Sequence, residues 1–157
     1  MLPNEIYNNL KSEFGDAIIE YNDQQPVDPF IVINTNQLFE ICHTLRDKEA
    51  FLFDYLMCLS GMDLGENVGV VYHLYSMKHK HKLVLKVSAP KTDPKVPSVE
   101  TIWRTADWHE REAYDLMGVQ FVGHHNMIRI LCPYDWEGYS LRKDYKVPEY
   151  FHGMKIS

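Results

Sequence analysis

The fold is decided around the stretch WHEREAYDLMG, which occupies residues 108–118. An α-helix advances by about 100° per residue, so a helix over residues 108–117 is predicted to have two contrasting sides. One side carries Trp108, Arg111, Glu112 and Asp115, and the other carries His109, Ala113, Leu116 and Met117. Gly118 suits the position directly after the last helical turn, where glycine is common.

Two charged features of this helix bear on its surroundings. Glu110 falls beside Met117 and Tyr114, toward the apolar side, where a carboxylate needs a partner because an unpaired buried charge is costly. Arg111 and Asp115 are four residues apart and can form an ion pair within the helix. An exposed pair of this kind contributes only about 0.3–0.5 kcal/mol, so periodicity alone favours a solvated helix with one such pair.

Upstream of this helix, apolar residues recur with either helical or strand spacing. The predicted elements are a helix after Pro3 that ends at Gly15, a strand over residues 17–21, a loop over residues 22–29, a strand over residues 30–33, a helix that buries Leu38, Ile41, Cys42 and Leu45, and a helix over residues 51–59 that ends at Gly61. The last helix is predicted because its residues are apolar nearly all round, which is typical of a buried helix.

The middle of the chain contains a predicted hairpin. Strands over residues 68–76 and 82–89 are separated by the charged turn from Lys78 to Lys82. This short connection favours antiparallel pairing of the two strands, with one face of the hairpin exposed to solvent. Three prolines within residues 90–97 predict an extended connector without regular structure. The remaining predicted elements are a helix over residues 99–104 and short strands over residues 119–122 and 127–131.

Together these elements predict an α+β class, with N-terminal helices packed on a mainly antiparallel sheet and an extended C-terminal tail. A chain of 157 residues is about the size of one domain. Residues 1–131 are predicted to form this α+β domain. Residues 132–157 show no useful period and are predicted to form an extended tail that binds a partner.

Composition excludes several classes of function. The formal net charge of −6 argues against nucleic-acid binding, which needs a concentrated basic surface. Because no run of about eighteen apolar residues occurs and residues 1–5 do not resemble a secretory signal, we expect the chain to stay in the cytosol. Cys42, Cys58 and Cys132 have no C-x-x-C spacing and are predicted to be core or turn residues.

The sequence predicts no catalytic site, metal site or cofactor site of its own. His109 and Glu110 begin like the H-E-x-x-H zinc signature, but Ala113 stands where the second imidazole is needed. Two pairs of loop histidines have no carboxylate at ligand spacing and are predicted to be solvated. These pairs are His79 with His81, and His124 with His125. Neither a nucleophile motif nor a glycine-rich phosphate loop occurs.

A longer set of residues resembles a known family. The set consists of Glu110 to Val119, Phe121, Gly123-His124, Arg129 to Leu131, Asp135 to Gly138 and Leu141 to Tyr145. It is similar to the C subunit, the 30-kilodalton subunit, of proton-pumping NADH:quinone oxidoreductase, which is respiratory complex I. The resemblance is strong from about Val99 to Tyr145 and looser upstream. The family usually reads His-Pro where this chain has Tyr139-Ser140.

The resemblance implies a structural subunit of the hydrophilic peripheral arm, docked on the D subunit that helps to form the quinone pocket. FMN, iron–sulfur clusters and quinone are then expected in other subunits of a complex at the cytoplasmic face of the inner membrane, with the D subunit and neighbouring iron–sulfur subunits as partners. The residues expected to fix the docking helix are Glu110, Arg111, Glu112 and Asp115. The residues expected to anchor the tail across neighbouring subunits are Trp136, Arg142, Lys143 and Asp144, since aromatic rings and arginine dominate protein interfaces.

Two alternatives stay open at this point. Membrane-bound hydrogenases and related dehydrogenases use a homologous subunit, and the motif alone separates these complexes poorly. The second alternative is a free-standing metal-dependent enzyme that would use His124, His125 and Glu110.

Overall fold

The computed structural model describes residues 1–24 and 28–156. The helices are α1 (Pro3–Phe14), α2 (Leu38–Asp47) and α3 (Ala106–Met117). The strands are β1 (Ile18–Asn22), β2 (Phe30–Ile33), β3 (Tyr55–Asp63), β4 (Asn67–Tyr75), β5 (Lys82–Pro90), β6 (Lys95–Pro97), β7 (Gln120–Val122), β8 (Tyr150–Phe151) and β9 (Met154–Lys155). The predicted loop over residues 22–29 falls partly on residues 25–27, which lie outside the described residues.

Five strands form the main sheet, in the order β1-β2-β5-β4-β3. All neighbouring pairs are antiparallel except β2 and β5, which are parallel. The predicted hairpin is confirmed, with Leu74 opposite Leu83 and Val70 opposite Val87. The α+β class with a mainly antiparallel sheet is therefore confirmed as well.

One face of this sheet packs against α1 and α2. Alternate residues of β5 enter the core, as predicted, while Lys86 and Ser88 point the other way. The core residues of α1, α2, β2, β4 and β5 are Ile6, Leu10, Leu38, Ile41, Cys42, Leu45, Ile31, Ile33, Val68, Val70, Tyr72, Leu74, Leu83, Leu85, Val87 and Ala89. Removing this much apolar surface from water is the main force that stabilises the domain.

The predicted helix over residues 51–59 is wrong, because the chain forms strand β3 there. Leu52 adopts a positive φ of 43° in the turn that separates α2 from this strand. β3 then pairs antiparallel with β4, from Tyr55 opposite Tyr75 onward. A short apolar run fits a buried strand as well as a buried helix, so the periodicity could not distinguish the two.

Gly61 lies inside β3 rather than after a helix. A Cβ atom at this position would lie 2.9 Å from Met117 Cγ and 3.6 Å from Ala113 Cβ. The missing side chain therefore lets α3 pack closely against the edge of the sheet.

Three shorter predictions are also wrong. β5 continues to Pro90 and β6 pairs in parallel with β7, so residues 90–97 contain strand. Residues 99–104 form turns, in which the N–H groups of Ile102 and Trp103 both donate to the Val99 carbonyl. Residues 127–131 form no strand, because a side chain of α3 binds backbone N–H groups of this segment.

The C-terminal segment is mostly irregular, as predicted, but it contains the hairpin β8–β9. The proposed division of the chain between residues 131 and 132 stays a prediction. No helix among the described residues is long and apolar enough to cross a membrane.

Candidate functional site

Glu110 is fully buried and holds the turn that precedes α3. Its carboxylate accepts hydrogen bonds from Ser98 Oγ at 2.6 Å and from the Val99 N–H group at 2.7 Å. Burial raises the pKa of Glu110 from 4.5 to about 7, against the lowering effect of these two donors. The solvated helix that periodicity favoured is therefore wrong at this position, and the partner that a buried carboxylate requires is the turn at residues 98–99.

Asp115 is also fully buried, and it organises the chain after β7. Its Oδ2 atom accepts from three consecutive N–H groups, those of Ile130, Leu131 and Cys132, at 2.9, 2.6 and 3.0 Å. Its Oδ1 atom pairs with Arg129 Nη1 at 2.8 Å. The predicted pair between Asp115 and Arg111 is thus wrong, because Arg129 and the loop occupy the carboxylate.

The electrostatic balance at Asp115 favours its charged form. Burial raises the pKa of Asp115, but the N–H groups of Cys132, Leu131 and Ile130 and the Arg129 guanidinium outweigh burial and hold the pKa below its ordinary value. Arg129 also donates to the Asp115 and Gly138 carbonyl groups. The carboxylate is therefore a charged anchor for the segment that follows.

Of the other two predicted residues of the helix, Arg111 is buried and Glu112 is exposed. The Arg111 guanidinium lies 4.7 Å from the centre of the Trp108 ring, and its Nε donates to the Ile128 carbonyl at 3.3 Å. Arg111 thus supports the surface around Trp108, while Glu112 is free to meet solvent or another chain.

The segment around Arg142 closes the C-terminal end of α3. Arg142 Nε donates to the Met117 carbonyl at 2.7 Å, and the Leu141 N–H group donates to the Leu116 carbonyl at 3.0 Å. A cation at this end of a helix interacts favourably with its dipole. Gly118 has a φ of 74°, which confirms the predicted glycine position after the helix.

A third buried carboxylate ties the segment around Arg142 to the main sheet. Asp63, in β3, accepts from the Lys143 N–H group at 2.7 Å, from Lys91 Nζ at 2.9 Å and from the Gly65 N–H group at 2.8 Å. Lys91 also pairs with Asp144 at 3.4 Å. These contacts give Lys143 and Asp144 intramolecular roles, while the side chains of both residues stay exposed and can reach a partner.

Trp136 lies against the C-terminal hairpin rather than on α3. Its ring centre is 5.0 Å from that of Phe151. Among the described residues, the buried Trp136 Nε1 has no hydrogen-bond partner. The predicted partner-binding roles of Trp136 and of the other seven residues stay predictions.

Several large apolar side chains around α3 are left exposed. They form what we call the α3 apolar set, which consists of Trp108, Ile128, Leu131 and Leu141. Each is between 53% and 61% exposed, although its backbone lies in a segment fixed by hydrogen bonds to α3 or in α3 itself. Exposed apolar groups on an ordered scaffold mark surfaces that other chains cover.

The alternative enzyme site is not assembled as expected. Glu110 is engaged with Ser98 and Val99, whereas His124 and His125 lie beside Glu100 and Asp107. The His124 side chain is buried, so the prediction that these loop histidines are solvated is wrong for His124. The prediction is also wrong for His81, which is buried and hydrogen-bonded to the Phe51 carbonyl.

Sequence reasoning assigned no role to Arg129, Asp63, Lys91, Glu100 or Asp107 as anchors. Arg129 belongs to the set of residues that resembles the family, and this membership was the one available signal for it. Asp63 and Lys143 are 80 residues apart, and no local spacing indicates their contact.

Fold and surface together define a class of protein: an α+β domain with an ordered apolar surface suited to packing against other chains. Residues 31–151 match the family described as "Respiratory-chain NADH dehydrogenase, 30 Kd subunit". The chain belongs to this family.

Individual relatives agree with this assignment. The C subunit of the NADH-quinone oxidoreductase of Chloroherpeton thalassium is 51% identical over 158 residues, which cover 98% of this chain and 65% of that protein. The corresponding C subunit of Chlorobium phaeobacteroides is 42% identical, with 96% and 92% covered. The chain therefore spans just under two thirds of the first relative and nearly all of the second.

Solved structures share the fold. The trypsin-resistant fragment of Nqo5 is 25% identical, with a TM-score of 0.64 over 77% of this chain and 98% of that one. A chain of the membrane-bound sulfane sulfur reductase, an archaeal respiratory membrane complex, gives a TM-score of 0.74 at 20% identity, over 91% of this chain and 85% of that one.

Proposed function

We propose that this chain is a non-catalytic structural subunit in the peripheral arm of a proton-translocating NADH:quinone oxidoreductase. It docks on the D subunit near the quinone site and supports electron transfer from NADH to quinone. The chain itself holds no cofactor, and FMN, iron–sulfur clusters and quinone belong to other subunits. It lies at the cytoplasmic face of the inner membrane and contacts the membrane only through the complex.

The observation that carries this proposal is the α3 apolar set on a scaffold anchored by buried carboxylates. Asp115 fixes the backbone on which Leu131 stands, and the Leu116 carbonyl fixes that of Leu141. An interface whose backbone is already ordered loses less conformational entropy when it binds. The arrangement therefore suits a permanent contact with another subunit.

The eight residues predicted from sequence then fall into two roles. Glu110, Arg111, Asp115 and Arg142 position the surface from within the chain, through their hydrogen bonds and ring contacts. Those with groups left to contact neighbouring subunits are Glu112, Trp136, Lys143 and Asp144. The first group affects docking indirectly, because it holds the residues of the α3 apolar set in place.

Co-purification tests this proposal with a matched pair of substitutions. Leu131→Asp places a charge in the α3 apolar set, whereas Ile19→Asp changes an equally exposed residue of β1 at the far edge of the sheet, 60% exposed against 61%. We expect Leu131→Asp to lose the tagged D subunit and most NADH:quinone activity of isolated membranes, because a charge buried at an interface is unpaired. Ile19→Asp should retain both.

Two further variants test the contribution of the C-terminal tail to docking. Arg142→Ala and Trp136→Ala are expected to weaken co-purification with the D subunit and neighbouring iron–sulfur subunits. Unchanged assembly and full activity in Leu131→Asp, Arg142→Ala and Trp136→Ala would contradict the proposal.

A second candidate is the homologous subunit of a membrane-bound hydrogenase or related dehydrogenase complex. Its support is the fold shared with a chain of the sulfane sulfur reductase complex. Identification of the co-purified subunits separates the two, since an NADH-binding flavoprotein favours the first candidate and a nickel-ligating large subunit favours the second.

A further inference from the structure

Four side chains from three separate segments meet beside the start of α3. They are Glu100 in the turn before the helix, Asp107 in its first turn, and His124 and His125 in the loop after β7. One nitrogen or oxygen atom of each lies within 4.8 Å of the others. A surface cavity of about 500 Å³ opens beside them and is lined by Glu100, Asp107 and His125, together with Thr101 and Arg104.

His124 acts in this cluster as a hydrogen-bond donor. Its Nδ1 atom accepts from the Asn126 N–H group at 3.0 Å, so the proton of the neutral ring belongs on Nε2. That Nε2 faces Glu100 Oε2 and Asp107 Oδ1, each at 3.3 Å, and the Asp107 carbonyl at 3.2 Å. A protonated Nε2 cannot bind a metal ion. His124 therefore orients the carboxylates of Glu100 and Asp107 by hydrogen bonding and is not itself a ligand.

The carboxylate of Asp107 lacks a strong hydrogen-bond donor. One N–H group shared among three acceptors at 3.2–3.3 Å gives none of them a strong bond, since charge-assisted bonds are typically about 2.7–2.9 Å long. Asp107 Oδ1 is buried and, apart from this weak contact with His124, accepts no hydrogen bond from the described residues. Arg104 borders the cavity but forms no ion pair within the described part of the chain. A buried carboxylate oxygen in this state favours a nearby cation.

We propose that Glu100, Asp107 and His125 bind a divalent first-row transition-metal ion, with water from the cavity completing its coordination. Two carboxylate oxygens and one imidazole nitrogen form a ligand set typical of zinc and related ions. The ion joins the turn before α3, the helix itself and the loop after β7. This is a structural site, and it is independent of the docking function proposed above.

His125 is suited to the ligand role for a reason that does not apply to His124. Its Nδ1 lies 2.7 Å from Glu100 Oε2, and its side chain is 64% exposed. In the structure without the ion, Nδ1 donates its proton to Glu100 Oε2 in a hydrogen bond. Because the ring is exposed, the proton can move through solvent to Nε2 when the ion binds, and the Nδ1 lone pair is then presented to the ion. Ligand atoms around zinc are about 3.3 Å apart, so binding would separate His125 Nδ1 from Glu100 Oε2 by about 0.6 Å and draw together the candidate ligand atoms that now lie within 4.8 Å of one another.

Isothermal titration of the untagged full chain with ZnCl₂ tests the site. The expected result is one Zn²⁺ per chain with micromolar affinity, and a rise in the Tm on addition of the metal. His125→Ala and Asp107→Asn should each weaken binding by tenfold or more. Because His125 is exposed, its substitution is not expected to disturb folding.

The matched control is His152→Ala. His152 pairs with Asp135 in an exposed contact between one imidazole and one carboxylate, so it reports nonspecific binding by surface histidines. Zinc affinity should be unchanged in this variant. The proposal is overturned if the wild-type chain binds no stoichiometric Zn²⁺, if both His125→Ala and Asp107→Asn bind as tightly as wild type, or if His152→Ala weakens binding equally. The docking proposal is read out separately by co-purification with the D subunit.

Discussion

Two regions of this molecule are held together by different forces. The main sheet and helices α1 and α2 are held by apolar side chains packed on one face of the sheet. Residues 129–145 are held on α3 and β3 mainly by polar groups, with Asp115 and Asp63 as the central acceptors. The first region places most of its apolar side chains in its own core, although Ile19 and Met57 stay exposed, whereas the second is ordered without burying Leu131 and Leu141.

This difference fits the docking role proposed above. Apolar packing between two segments of one chain buries the same side chains that an interface would need. A buried carboxylate that accepts several N–H groups orders a segment through its backbone and leaves its side chains available. The polar anchoring of residues 129–145 therefore orders this segment while Leu131 and Leu141 stay exposed.

The largest expected effect belongs to the sheet region. Leu85 is fully buried in β5, between β2 and β4, and Leu85→Ala should lower the free energy of unfolding by about 3–4 kcal/mol through lost burial and a cavity. Urea denaturation followed by circular dichroism measures this change. Ser88→Ala, an exposed site on the same strand, should change stability by less than about 0.5 kcal/mol. An equal effect of both variants would show that the core face does not dominate stability.

The polar region should respond locally instead. Asp115→Asn removes the charge that pairs with Arg129 and disturbs the acceptor of three N–H groups, which should cost about 3 kcal/mol in local stability. Hydrogen exchange of Ile130, Leu131 and Cys132 should then be about 100-fold faster, while amides of β4 and β5 keep most of their protection.

Glu112→Gln is the control for Asp115→Asn, because Glu112 is exposed on the same helix. It should leave exchange at residues 130–132 unchanged. If the sheet amides lost as much protection as the loop in Asp115→Asn, the two regions would form one cooperative unit and the comparison would be wrong.

The sheet region was largely predictable from sequence, because burial repeats along the chain. The apolar residues of α1, α2 and β5 recur at the spacing of their elements, and each of these was predicted correctly. The strand at residues 55–63 was missed because its run of apolar residues has no distinguishing period. What separated it from a helix was pairing with β4, which is information from another part of the chain.

The polar region was much less predictable. The helix α3 and Gly118 followed from local pattern, but the partners of Glu110 and Asp115 did not. Asp115 had a plausible partner at Arg111, one turn away, and the fold instead brings Arg129 to it. Helical spacing identifies which residues share a face, but it does not reveal which face another segment will cover.

A smaller effect should appear as a dependence of stability on pH. The pKa of Glu110 is raised from 4.5 to about 7 in the folded state, so the folded chain binds a proton that the unfolded chain has lost between these values. Stability should therefore fall as the pH rises from about 4.5 to 7 and level off above it, by about 3 kcal/mol in total. Urea denaturation at several pH values measures this fall.

Glu110→Gln should remove this contribution, because the amide resembles the protonated acid and can still bond to Ser98 and Val99. Glu20→Gln, at an exposed position of β1, should retain the wild-type dependence. A constant stability difference between wild type and Glu110→Gln from pH 5 to 8 would contradict the prediction. A fall in stability that is lost in Glu110→Gln would show that Glu110 is protonated in the folded chain at low pH. Asp115, by contrast, is expected to stay charged to lower pH.

The smallest effect is expected at Gly118, where residues 139–142 contact the end of α3. An added Cβ would lie 2.5 Å and 2.6 Å from side-chain atoms of Tyr139 and Arg142, and the φ of 74° already disfavours a side chain. Gly118→Ala should cost about 1–2 kcal/mol and expose residues 139–142 to limited proteolysis. Gly123→Ala carries the same backbone penalty, at a φ of 90°, with no atom within 4 Å of the new Cβ. The difference between these variants isolates the contact of the tail with α3, and equal protease sensitivity would mean that Tyr139 and Arg142 do not hold the tail there.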